Sequence, residues 1–71
     1  MVDVEYKELT TQNPLWQREA VRLAQSKVPF VVGGFSYSLD SNFFRALKGR
    51  FDLEVDMDLE LNRAYFRSKA E

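Results

Sequence analysis

The sequence predicts an α+β fold: a two-layer sandwich in the order β-α-β-(α)-β, with a three-stranded sheet and helices on one face. Three observations lead there. From Phe51 to Leu61, apolar residues (Phe51, Leu53, Val55, Met57, Leu59, Leu61) alternate without exception with acids (Asp52, Glu54, Asp56, Asp58, Glu60). Strict period-2 alternation marks a strand with one buried and one wet face, whereas a helix would scatter the five carboxylates around its circumference. Upstream, Leu15, Trp16, Ala20, Leu23 and Ala24 recur at helical spacing. Between the two lies Val28-Pro29-Phe30-Val31-Val32, a short apolar run of the kind that forms a strand covered on both faces.

Each element has its own justification. Val2 to Lys7 alternates Val2, Val4 and Tyr6 with Asp3, Glu5 and Lys7, and is read as the first strand. Asn13 suits a helix N-cap and Pro14 the first helical position, where the missing N–H costs nothing, so a helix is expected over Leu15 to Gln25. The second strand, Val28 to Val32, ends at Gly33-Gly34, which suits a bulge or tight turn. Phe35 to Leu39 alternates again and either extends that strand or begins a helix. Asp40 or Ser41 caps a short second helix that Gly49 closes, with Phe43, Phe44 and Leu47 as its apolar face. Adjacent residues cannot share the centre of one helical face, so one of Phe43 and Phe44 is expected to be partly exposed. The acidic strand follows. Residues 62–71 are read as a basic, aromatic tail without an assigned structure.

Length and composition narrow the functional classes. At 71 residues the chain, 1–71, is a single small domain, and a chain of that size hides only about 60% of the surface it exposes when unfolded. Stability is therefore expected to be thin. The absence of cysteine removes disulfides, thiolate nucleophiles and thiolate metal sites. The absence of histidine removes imidazole bases and histidine-ligated zinc. Only carboxylate, lysine, tyrosine and serine chemistry is left. No stretch approaches the roughly 20 apolar residues that cross a bilayer, and no signal-peptide pattern opens the chain, so a cytoplasmic protein without membrane association is expected. A formal net charge of −1 offers no general attraction to nucleic acid. Tyr65, Phe66, Arg67 and Lys69 have the composition of a base-stacking patch, but packing onto the core accounts for them better.

The acidic ladder is the main functional signal. Carboxylates two residues apart on one strand face lie about 6.8 Å from each other, and such a pair repels by roughly 0.6 kcal/mol in water. Asp52, Glu54, Asp56, Asp58 and Glu60 together form either a solvated face or a surface for a basic partner, including the basic side of a second copy of the chain. Most of the basic residues, among them Arg18, Arg22, Arg45, Lys48 and Arg50, map to the helices, so the domain is expected to be electrically two-sided.

A partial resemblance suggests a different class. Arg18 to Ala24, Val28 to Phe35, Arg45 to Lys48 and Phe51 to Val55 resemble the opening of the nucleotidyltransferase-superfamily core, over roughly residues 18–55. The resemblance implies a phosphate-holding turn at Gly33 and Gly34, and a magnesium site at Asp52 and Glu54. No third carboxylate on a later strand follows to complete such a site. The residues read on their own favour a non-enzymatic module without catalytic residues or cofactor. That module works by protein contact through Asp52, Glu54, Asp56, Asp58 and Glu60, as a homo-oligomer or with a basic partner; a magnesium- and nucleotide-binding relative of the nucleotidyltransferases is the alternative.

Overall fold

Six elements follow one another through residues 5–69, the part of the chain described by the computed structural model. They are β1 (Lys7–Thr10), α1 (Trp16–Gln25), β2 (Phe30–Gly33), α2 (Tyr37–Phe51), β3 (Leu53–Asp58) and β4 (Arg63–Ser68). The sheet has four strands in the order β1-β2-β4-β3; β1 and β2 are parallel, and the other two pairings are antiparallel. The α+β class stands, and the strand count is corrected from three to four.

The added strand comes from the segment read as a tail. Ala64 and Phe66 are fully buried on the helix side, while Arg63, Tyr65 and Arg67 point the other way. This is period-2 alternation too. It was muted because one inward residue is a small alanine and one outward residue is aromatic, so hydropathy barely oscillates along the segment. Phe66 anchors the strand: its ring stacks on Phe30 at 4.8 Å and meets Phe44 at 5.1 Å.

The helices cover one face. The core gathers Trp16, Ala20, Leu23 and Ala24 from α1 and Phe44 and Leu47 from α2 over Phe30, Val32, Leu53, Ala64 and Phe66 of the sheet. Trp16 is buried and meets Phe43 edge-on at 5.2 Å, and of the adjacent phenylalanines Phe44 is buried and Phe43 half-buried. Phe35 also enters the core, edge-on to Phe44 at 5.1 Å. Ser36 then precedes the helix as its N-cap, and residues 37–39 are helical.

Several boundaries move for identifiable reasons. The Asn13 side chain accepts the Leu15 N–H at 3.0 Å, making a turn ahead of the helix, and α1 begins one residue later than expected, at Trp16. It ends with Lys27 at φ 59° and with Val28 N–H donating to Leu23 C=O at 2.9 Å, a left-handed cap that turns the chain into β2. Asp40 lies inside the first turn of α2, where its carboxylate accepts the Ser36 N–H at 2.9 Å. Gly49 does not close that helix. The end comes at Asp52, in the left-handed conformation with φ 54°.

The first strand also shifts. Val2, Asp3 and Val4 lie outside the described residues, and β1 begins at Lys7. Tyr6 sits on the uncovered sheet face, where its ring meets Tyr65 edge-on at 5.2 Å; Leu9 is the residue that packs against the core. The acidic strand is shorter than its alternation. Phe51 belongs to α2, and beyond Asp58 the chain turns through Leu59 to Asn62. The Asp58 carboxylate accepts the N–H groups of Glu60 and Leu61 at 3.1 and 3.2 Å, and Asn62 is left-handed at φ 58°. Leu59 and Leu61 are accordingly exposed, at 66% and 64%, rather than inward. No helix among the described residues is long and apolar enough to cross a membrane.

Candidate functional site

The uncovered sheet face is built from the even residues of β1 and β3 and the odd residues of β2 and β4. Register places Glu54 across from Arg67, Asp56 across from Tyr65, and Asp58 across from Arg63. Val31 lies beyond Tyr65, and Glu8 beyond Val31. The face is therefore striped: acid on β3, arginine and tyrosine on β4, valine on β2, and acid again on β1. The expected two-sided charge distribution is corrected here, because β4 carries two arginines into the middle of the sheet.

Only Glu54, Asp56 and Asp58 of the five ladder acids share this strand face. Asp52 terminates α2, and Glu60 sits in the turn. The three remaining acids differ in occupation. Glu54 accepts a hydrogen bond from Arg67 Nε at 3.0 Å, and that bond holds the Arg67 guanidinium above its ordinary pKa. The Asp58 carboxylate is engaged with the turn backbone. The Asp56 carboxylate makes no hydrogen bond or ion pair among the described residues, and register places the residue level with Tyr65.

Position in the sheet matters as much as charge. Among the described residues β3 is an outermost strand, paired only with β4. Lys69 N–H donates to Asp52 C=O at 3.1 Å, and the register carries that pairing forward through Glu54–Arg67, Asp56–Tyr65 and Asp58–Arg63. In an antiparallel ladder the intervening residues turn their backbone groups away from the partner strand. The N–H and C=O groups of Leu53, Val55 and Met57 thus line the free margin. On the helix side of this margin lies a groove of about 310 Å³, lined by Val55, Met57, Tyr37, Phe44, Arg45 and Lys48. On the other side a depression of about 470 Å³ runs from Asp56 to Glu60 beside Tyr65.

The residues implied by the nucleotidyltransferase resemblance do not meet. Gly33 pairs with Arg63, level with Asp58, whereas Glu54 lies four residues away along β3, about 13 Å at strand spacing. Gly34 has φ +73° and makes a turn: its N–H donates to Asn62 C=O at 3.1 Å, and its C=O accepts the Thr11 hydroxyl at 2.6 Å. Both groups are used within the fold. Among the described residues no three histidine, cysteine or acidic side chains gather in a metal-holding group.

Sequence reading did not find the margin or the groove. Arg63 and Arg67 were detectable from their alternation with Ala64 and Phe66. Arg45 and Lys48 map to the helical layer by sequence, but nothing in the sequence places that layer above β3. Comparison with known proteins gives no match: no family model, no curated protein and no solved structure matches the chain.

Proposed function

We propose that this chain is a non-enzymatic protein-contact module that holds a basic partner along the acidic margin of its sheet. One observation carries this reading: the strand bearing Glu54, Asp56 and Asp58 is an outermost strand, open to a partner on the side away from β4. An acidic strand in mid-sheet would be hemmed in by its neighbours. At the margin its charges steer and select whatever approaches, which is the principal contribution of charge complementarity at an interface.

A second copy fits this margin poorly. Antiparallel pairing of β3 with itself about Val55 sets Glu54 opposite Asp56 of the copy, and Asp56 opposite Glu54. Directly opposed side chains lie about 5 Å apart, where two like charges repel by roughly 0.8 kcal/mol in water. Acids on outermost strands are a common guard against such pairing. Strand-to-strand pairing of two copies is therefore disfavoured, and the partner proposed is a different chain, with cations where this one has carboxylates.

Two measurements test the reading. Light scattering after size-exclusion chromatography, at low and high salt, is expected to return a monomer in both; a dimer whose contacts run through β3 would overturn the choice of partner. Titration with polylysine and polyglutamate, followed by backbone amide NMR, is expected to move β3 signals only with the cationic polymer. Asp56→Lys should reduce that binding about tenfold or more. Equal responses to both polymers would end the proposal.

A further inference from the structure

We propose that the partner engages this margin as an added strand, through an extended segment in which lysine or arginine alternates with apolar residues. The inference deepens the reading above and rests on it for the sign of the partner's charge. What it adds is the backbone.

Three independent features converge on β3. First, Leu53, Val55 and Met57 direct their N–H and C=O groups away from β4, over a strand of six residues that contains neither proline nor glycine. An extended peptide satisfies such a row by main-chain hydrogen bonding, with alternate side chains supplying specificity. Second, the side chains of Val55 and Met57 are half-buried and open into the groove under α2, where Tyr37 is 55% exposed. Side chains of an added strand that point to the helix side extend this apolar floor. Third, the opposite side chains of the added strand come level with Glu54, Asp56 and Asp58. Cations there meet carboxylates.

The groove also fixes the phase of the alternation. Arg45 and Lys48 line it, so a cation directed to the helix side meets like charge. The favoured occupant places its basic residues on the uncovered sheet face and its apolar residues under α2. A segment with the same composition but clustered lysines cannot satisfy both sides at once. Strand addition thus predicts sensitivity to pattern, which simple charge attraction does not.

The test uses the full chain and a short peptide alternating lysine with valine. Amide NMR titration should move Leu53, Val55 and Met57, and the alternating peptide should bind at least about tenfold more tightly than a peptide of identical composition with its lysines grouped. Two N-methylated versions, one blocked at the valine nitrogens and the other at the lysine nitrogens, should differ in affinity by about tenfold or more, because only one set of peptide N–H groups faces β3. Val55→Pro removes an N–H that the sheet itself does not use and should weaken binding by about tenfold while the chain still folds, with a melting midpoint lowered by no more than Val55→Ala lowers it. Should that variant unfold, the N-methylated pair decides alone. Equal binding of the alternating and grouped peptides, with no difference between the methylated versions, overturns strand addition and leaves the acidic-margin reading intact. Absence of binding by every cationic peptide overturns both.

Discussion

β3 and β4 are neighbours of equal length, and both alternate, yet they do opposite work. β3 carries conspicuous alternation and lies at the outside of the sheet; β4 carries weak alternation and lies in the middle, with Ala64 and Phe66 fully buried. The difference teaches what an alternating pattern measures. It reports the contrast between a strand's two faces, which is greatest where one face meets only water. A central strand in a sheet with one open face needs inward residues that fit beneath helices and outward residues that can lie between two neighbouring strands. Alanine, tyrosine and arginine meet those needs and blur the contrast.

Substituting the cross-strand partners Phe66 and Val55 breaks this comparison most directly. Phe66→Ala removes a ring in contact with Phe30 and Phe44 and should cost about 3–5 kcal/mol, enough to unfold much of a thinly stable population. Val55→Ala, on the half-buried face of β3, should cost only about 1 kcal/mol. Urea melts followed by circular dichroism measure both; similar costs would mean that β4 is not the structural centre of the sheet. Asp52→Gly comes next and has the opposite sign. A left-handed φ of 54° is strained for aspartate and easy for glycine, so this variant should gain up to about 1 kcal/mol in the same melts. Glu54→Gln should change stability least, since the Arg67 bond it weakens lies at the surface. Its signature is local: the Arg67 side-chain Nε–H signal should move in NMR while the melting transition stays in place. A large stability loss from Glu54→Gln would show that the charge stripes hold the sheet together.

What the sequence made legible follows the same logic. α1 was clear because its apolar stripe is wide and Asn13 marks its approach. The floor of the core was clear in Phe30 and Val32. Strand order was not legible, since nothing in an isolated strand specifies its neighbour, and so the position of β3 at the margin could not be read. The ladder was found but overextended: Asp52 alternates correctly and yet ends a helix, because a left-handed cap leaves no trace in hydropathy. The Asp58 carboxylate was grouped with the others, although an aspartate followed closely by the N–H groups of a turn is commonly bonded to them. Of the three acids that do share the strand face, Asp56 is the one whose carboxylate has no hydrogen-bonding or ionic partner among the described residues.

The place of β4 also bears on how the molecule acquires its structure. β2 and β3 never touch as strands; each is completed by β4, which follows both of them along the chain. The turn through Leu59 to Asn62 brings β4 against β3 as a hairpin, whereas β2 meets β4 only across the whole of α2 and β3. The hairpin is a local contact; seating β4 against β2 closes a long stretch of chain and is the pairing expected to be slow relative to helix formation. The β2–β4 pairing is thus the contact on which the joining of the two halves of the sheet depends.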